Sequence, residues 1–388
     1  MLKSCGNSAE RQFMSIMALG MNPKAIVDKC LFVPIIWTRL VLISKEQSVV
    51  GIFYEGIQRL QQGVPSAETL SKIDLLKTYG LVQKIRQRNM AMDAAVVNLC
   101  QQMSEFGIRI FVFKGQALAT LYPDASLRQS GDIDFFCHPE DWQRALAWLK
   151  SEWGVVPNGL NTEKDVEFRH NGIEYEMHRK MTLFMYPKHS RYWENVVMPE
   201  ILENLGVARI NGYDVKTLSP VHNVLYVFVH IFQHLISDGV GLRQFCDWMM
   251  TIRHMPQDKT NVDTLEHHLN GIGMKKAFVG LGVILTDYLG LAVEDFPFEI
   301  TEEDHRNAPA LMENMLEMGN FGHNKKYKKN RGILHGVQHL SRITMQSRLF
   351  GHYAPAEAWW RLPYMFKWWT MKLRMMFELR YCHDKVIV

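Results

Sequence analysis

Phe111-Val112-Phe113-Lys114-Gly115-Gln116, followed by Arg128-Gln129-Ser130-Gly131-Asp132-Ile133-Asp134-Phe135-Phe136, is the stretch that decides the fold. The run 108–113 is short, apolar and β-branched, the composition of a buried strand. A helix is expected over 116–121, ended by Pro123-Asp124. The run 132–137 reads as a second strand. Side chains alternate along a strand, so Asp132 and Asp134 share a face. Two carboxylates this close repel, and the pair is costly unless a cation lies between them. Magnesium prefers hard oxygen ligands and binds one or two carboxylates together with substrate phosphates. Two such ions would clamp the attacking and leaving oxygens of a phosphoryl displacement. Lys114-Gly115 falls where strand passes into helix. Backbone amides there can hold a phosphate and glycine permits close approach, while Lys114 and Arg128 carry the charge to neutralise a triphosphate.

Working outward, 139–150 reads as an amphipathic helix with Pro139 in its first turn. Asn171-Gly172 joins the runs 166–170 and 173–179, and Asn211-Gly212 joins 207–210 and 213–218. Asn-Gly between alternating runs is a hairpin signal. On the strand from Ile173, Glu174, Glu176 and His178 share one face, while Ile173, Tyr175 and Met177 share the other. A strand this polar on one side faces solvent or lines a site. Glu176 is placed to be a third carboxylate.

On either side the texture is helical. Runs 47–62 and 79–103 show apolar residues at three- and four-residue spacing. Ser219-Pro220 opens a helix to about 237, with proline in its first position. Further helices are expected at 241–255, 260–270, 274–289, 308–318 and 357–381. The expected fold is therefore α+β. A small mixed-sheet core over 105–217 is flanked by an N-terminal helical region, 1–104, and a C-terminal helical domain, 218–388.

Composition bounds the rest. Of 388 residues, 47% are hydrophobic and 22% charged, which excludes a disordered chain, a collagen-like fibre and a disulfide miniprotein. Basic residues number 44 against 40 acidic, a formal charge of +4, and this near balance argues mildly against nucleic acid as the acceptor. The six cysteines are scattered with no Cys-x-x-Cys, the usage of a reducing compartment. No secretory signal is visible at the start. No apolar run reaches the ~18 residues of a spanning helix. The expected location is cytoplasmic.

Asp-x-Asp alone occurs by chance in many chains as a turn or a solvated strand end. The order is what is specific: strand, Lys-Gly, helix, Arg, Gly-Asp-x-Asp, then Glu-x-His on a hairpin strand. In this order the sequence resembles the DNA polymerase β-like nucleotidyltransferase superfamily, and more closely its bacterial uncharacterised nucleotidyltransferase family. Lys114-Gly115, Tyr122-Pro123-Asp124, Arg128, Gly131 to Asp134, Glu176 and His178 carry the resemblance. His230, His234, Gly241-Leu242-Arg243 and Asp247 extend it. It covers roughly 80–320, and Gly131-Asp132-Ile133-Asp134 is its most specific part. One departure is Lys-Gly where the wider superfamily has Gly-Gly or Gly-Ser, at a longer distance from the acidic strand.

The resemblance implies transfer of a nucleoside monophosphate from an NTP to an acceptor, with release of pyrophosphate. Asp132, Asp134 and Glu176 would hold Mg²⁺ (or Mn²⁺) and carry the catalysis, Glu176 as metal ligand or general base. Lys114, Gly115, Arg128, Ser130 and Gly131 would bind the nucleotide. His178, His230, His234, Arg243 and Asp247 would meet the acceptor or support the site. A small molecule, sugar or protein fits as acceptor better than nucleic acid. The rival reading is a non-catalytic nucleotide- or partner-binding scaffold.

Four other features have bland readings. His230 and His234 share a helix face, a spacing that suits zinc, but no third ligand is evident and packed histidines are expected. The basic run 323–331 reads as a solvated loop. The aromatic, basic tail from 357 is expected to pack, with contact at a membrane surface as the alternative. Met90, Met92 and Met103, on the long N-terminal helix, are expected in the core or packed between helices.

Overall fold

The structure, a computed structural model, describes residues 8–65, 70–159, 162–237, 239–318 and 333–363. Its centre is a four-stranded sheet. The strands are β1 (Ile110–Val112), β2 (Ile133–Cys137), β3 (Asp165–His170) and β4 (Ile173–His178), in the order β1-β2-β4-β3. β2 runs antiparallel to β1 and parallel to β4, and β3 returns antiparallel along β4. A second hairpin, β5 (Leu205–Ile210) and β6 (Tyr213–Leu218), stands apart as a two-stranded sheet. Both hairpins turn on the expected Asn-Gly pairs. Asn171 and Gly172 have φ of 49° and 78°, Asn211 and Gly212 48° and 79°, all in the left-handed region that such tight turns demand.

The strands' period-2 pattern divides the main sheet into two faces. Ile133, Phe135, Cys137, Val166, Phe168, Tyr175 and Met177 are buried on one face. They pack with Met92, Val96, Leu99 and Met103 of helix Lys72–Glu105 and with Ala145, Trp148 and Leu149 of helix Trp142–Glu152. The opposite face carries Asp134, Glu176 and His178 and looks towards helix Pro220–Leu235. The N- and C-terminal helices share one apolar cluster that runs from Phe13 to Ala354. Polar bonds tie them as well: Leu242 N donates to Gln47 Oε1 at 2.9 Å and Arg253 Nη1 to Met21 O at 3.0 Å.

Several expectations are adjusted. β2 begins at Ile133, so Asp132 precedes the strand. The helix after Lys114 is Gly115–Ala119, and the helix expected at 308–318 begins earlier, as Glu302–Met318 with Pro309 inside it. Met92 and Met103 are in the core as expected, but Met90 is exposed on the outer side of its helix. The basic run 323–331 lies outside the described residues, as does the tail beyond 363. The start of that tail, helix 355–363, packs rather than projects. Glu357 is buried and accepts from the backbone N–H groups of Met185 and Tyr186, and Trp360 stacks edge-on against Tyr186. No described helix is long and apolar enough to cross a membrane.

Candidate active site

Register places the acidic residues in a row. Asp134 on β2 is the partner of Glu176 on β4, and Glu176 is the partner of Glu167 on β3. Adjacent strands lie about 4.8 Å apart, so three carboxylates stand side by side across three strands. Like charges directly opposite destabilise a sheet. One step along, His178 on β4 faces Asp165 on β3. Glu167 and Asp165 fall outside the residues expected from sequence. Their signal is present, since Asp165 and Glu167 alternate with Val166 and Phe168, but only the pairing shows which strand they lie beside.

Beneath the row, Asp134 is buried and partnered on one oxygen. Lys114 Nζ and His178 Nε2 each lie 2.9 Å from Oδ1. His178 Nε2 also faces Glu176 Oε2 at 3.4 Å, so a proton on Nε2 satisfies both carboxylates. The His178 ring is fully buried and held edge-on by Phe113 at 5.0 Å. Burial alone would push Asp134 up, but Lys114 and His178 outweigh it and hold the carboxyl below its ordinary range. Burial would likewise lower Lys114, and Asp134 outweighs it and keeps the ammonium charged.

Lys114 reaches this position from an unusual backbone. Its φ is 60° and ψ −151°, a region populated almost only by glycine and costing about 1–3 kcal/mol for other residues. The next residue, Gly115, also has positive φ, and a Cβ there would stand 3.3 Å from Asp132 O. The double twist turns the chain from β1 over the end of β2. It aims Nζ at Asp134 between the rings of Phe113 and Tyr226, 5.3 and 5.7 Å away.

Asp132 behaves differently from Asp134. Burial, then the charges of Asp134 and Glu176, push it up to about 6. The cluster thus holds more negative charge than Lys114 offsets. Asp134, Glu176 and His178 bring ligand atoms within 4.8 Å of one another. Flanked by Asp132 and Glu167, this mostly hard-oxygen set with excess negative charge fits a divalent cation such as Mg²⁺ or Mn²⁺.

These groups open into a cavity of about 510 Å³. Every site residue expected from sequence lines it except His178, which lies under its floor. Lys114, Gly115, Ser130, Gly131, Asp132, Asp134 and Glu176 line it from the sheet and its loops, and His230, His234, Arg243 and Asp247 from helices Pro220–Leu235 and Leu242–His254. Lys164 and Glu167 add the rim from the β3 side.

Arg128 is used differently from its expected role. Its Nε and Nη2 donate to Asp247 Oδ1 and Oδ2 at 2.7 and 2.8 Å, and Nη1 donates to Ser130 Oγ at 2.8 Å. Tyr122 donates to the same Asp247 carboxylate at 2.6 Å. A guanidinium held this way joins the 128–131 loop to helix Leu242–His254 and is committed to its own protein. Arg243 is the less committed cation. Nη1 donates to Gln129 O at 2.7 Å, whereas the buried Nε has no hydrogen-bond partner. Burial, then the Arg128 charge, lowers its pKa, the mark of a cation short of negative partners.

His230 and His234 meet edge to face at 4.4 Å on the cavity wall. Burial, then Lys114, lowers His230 well below the ordinary imidazole value, so it is neutral. Neither belongs to a group of side chains spaced to hold a metal among the described residues.

The small mixed sheet thus carries acidic residues on two parallel strands, enclosed by helices. The chain belongs to the uncharacterised nucleotidyltransferase family, whose model matches residues 34–290. No curated protein gives a significant match. Among solved structures, an antigenic nucleotidyltransferase-like protein from Paracoccidioides brasiliensis is similar at 16% identity over 52% of this chain and 93% of that one, with a TM-score of 0.32. So distant a likeness says nothing about the chemistry of this chain.

Proposed function

We propose that this chain transfers a nucleoside monophosphate from an NTP to an acceptor hydroxyl. The acceptor oxygen bonds to the α-phosphorus, the bond to the bridging oxygen breaks, and pyrophosphate leaves. The observation that carries the reading is the in-register row Asp134, Glu176 and Glu167, lining one cavity with Lys114, Lys164 and Arg243.

Asp132, Asp134 and Glu176 are the residues to hold Mg²⁺ or Mn²⁺. The bound cation would neutralise phosphate charge and orient the triphosphate for in-line displacement. Arg243, with its unpartnered Nε, and Lys164 at the rim bind the phosphates, a role that passes from Arg128 to Arg243. Arg128 acts as the brace that holds Ser130 and Gly131 against the cavity. Glu167, exposed at the open end of the row, takes the proton from the acceptor hydroxyl. His230 and His234 divide the main cavity from a smaller one of about 220 Å³ lined also by Thr182, Gln233 and Ser237. Its lining mixes these polar groups with Met181, Leu183, Met185 and Ile236, which suits a small acceptor that has an apolar part beside its hydroxyl.

A second reading, a nucleotide-binding scaffold without chemistry, is favoured by one observation. Lys114 Nζ already sits on Asp134 and supplies internally part of the charge a cation would bring. Calorimetric titration of each NTP with Mg²⁺ and with EDTA separates the two. The enzyme reading expects binding that EDTA abolishes and that Asp134→Asn removes. Binding unaffected by EDTA and retained in Asp134→Asn refutes it and supports the scaffold.

A further inference from the structure

Away from the cavity, three helices meet at a cluster that the transfer reaction does not use. Glu200 comes from helix Met198–Glu203, His222 from the first turn of Pro220–Leu235, and His268 from Lys259–Gly271. Their ligand atoms lie within 4.8 Å of one another. His268 Nε2 is 2.9 Å and His222 Nε2 4.0 Å from the same oxygen, Glu200 Oε2. Bonds of about 2.0–2.1 Å to a tetrahedral zinc place donor atoms roughly 3.3 Å apart, between these two separations.

Each imidazole is oriented from behind. Ser219 Oγ lies 2.8 Å from His222 Nδ1, and Tyr192 OH lies 3.2 Å from His268 Nδ1. A ligand histidine normally hydrogen-bonds through its second nitrogen in this way, which fixes the tautomer and the ring plane. Ser219 is the residue before the helix, where a serine oxygen usually caps a backbone N–H. Here it makes no such bond and is spent on His222. With Nδ1 satisfied, the buried Nε2 of His222 has no hydrogen-bond partner. That orphaned nitrogen points into the cluster, where a bare hydrogen bond between Glu200 and His268 leaves it unexplained. His222 and His268 are buried, while the Glu200 side chain is 40% exposed, which leaves a route in from solvent. A π turn over Trp193–Val197 lies between Tyr192 and Glu200, a local irregularity often found at functional sites.

We infer that Glu200, His222 and His268 form a second metal site, for Zn²⁺, distinct from the carboxylate row. Two imidazoles and one carboxylate suit zinc, whereas the row's oxygens suit magnesium. The site fastens helix Met198–Glu203, which leads into the β5–β6 hairpin, to two helices of the C-terminal region. This inference does not depend on the nucleotidyl-transfer reading.

The test uses the full chain stripped of metal, in an Asp134→Asn background that disables the carboxylate row. Zn²⁺ is titrated in competition with a chromophoric chelator, and Co²⁺ serves as a spectroscopic probe. The expected result is a single bound Zn²⁺ and a Co²⁺ complex with visible bands of low-coordinate nitrogen and oxygen ligation. His222→Gln, His268→Gln and Glu200→Gln each weaken binding by tenfold or more, and Ser219→Ala does so by about tenfold through the orienting bond. Should a histidine variant fail to fold, Glu200→Gln, at a partly exposed position, carries the same expectation. Unchanged Zn²⁺ affinity in folded Glu200→Gln, or no Zn²⁺ bound by the parent protein, overturns the site.

Discussion

Replacing Asp247 by leucine tests whether the clamp between the 128–131 loop and the C-terminal helices is structural. Asp247 accepts from Arg128 Nε at 2.7 Å, Arg128 Nη2 at 2.8 Å and Tyr122 OH at 2.6 Å, with both charged side chains about 5% exposed. Removing the carboxylate leaves a guanidinium buried without its counter-charge and a phenol without its acceptor. Breaking a buried pair from one side costs about 3–5 kcal/mol, mostly from the stranded charge rather than from lost attraction. The expected loss for Asp247→Leu is therefore about 3–5 kcal/mol, read as the shift in free energy of denaturant unfolding followed by tryptophan fluorescence. The double variant Arg128→Met/Asp247→Leu removes both charges at once. It is expected to recover most of the loss, because a well-packed apolar pair is often no less stable than a buried ion pair. A cost below ~1 kcal/mol for Asp247→Leu, the range of an exposed pair, would mean that Arg128 swings into solvent. That outcome refutes the clamp and makes Arg128 a free phosphate-binding cation again.

Asp132→Asn is expected to stabilise the cation-free protein at neutral pH. The native value of about 6 lies above the ordinary 3.8, so the folded state holds this proton more tightly than the unfolded chain, and stability falls as the pH rises through that window. The gain in melting temperature from Asp132→Asn therefore shrinks as the pH falls below about 6, and a gain independent of pH contradicts the assignment. Gly115→Ala should cost about 1–2 kcal/mol, since a Cβ is disfavoured at a φ of 41° and would also press on Asp132 O; an unfolding free energy equal to the parent's counts against the strained Lys114-Gly115 turn. His178→Leu should cost about 1.5–3 kcal/mol through the lost bond to the Asp134 carboxylate. It should also weaken Mn²⁺ binding at the row, measured by paramagnetic relaxation, and unchanged Mn²⁺ affinity would separate His178 from the metal set.

Features set by a few neighbouring residues are readable along the chain. Asn171-Gly172 and Asn211-Gly212 make tight turns because those two residues tolerate positive φ. Glu174, Glu176 and His178 share a face because side chains alternate, and Pro220 starts a helix because it needs no N–H donor there. The same local logic places Asp132 and Asp134 together. It places Met90 wrongly, because a long helix drifts relative to its apolar pattern and only its packing partners show which face is covered.

The acidic motif, the hairpins, the helix start at Pro220 and the mixed sheet-and-helix class followed from the sequence by itself. They depend on backbone preferences and side-chain periodicity within a few residues. The tertiary structure alone decided that Glu176 lies beside Asp134 and Glu167 beside Glu176. It also decided that Arg128 pairs with Asp247 at the cavity wall, and that Glu200, His222 and His268 meet. Each of those contacts joins segments far apart in the chain. Their pairing is settled by which buried surfaces fit and which charges must be neutralised once the apolar core has closed, and no spacing along the sequence encodes it.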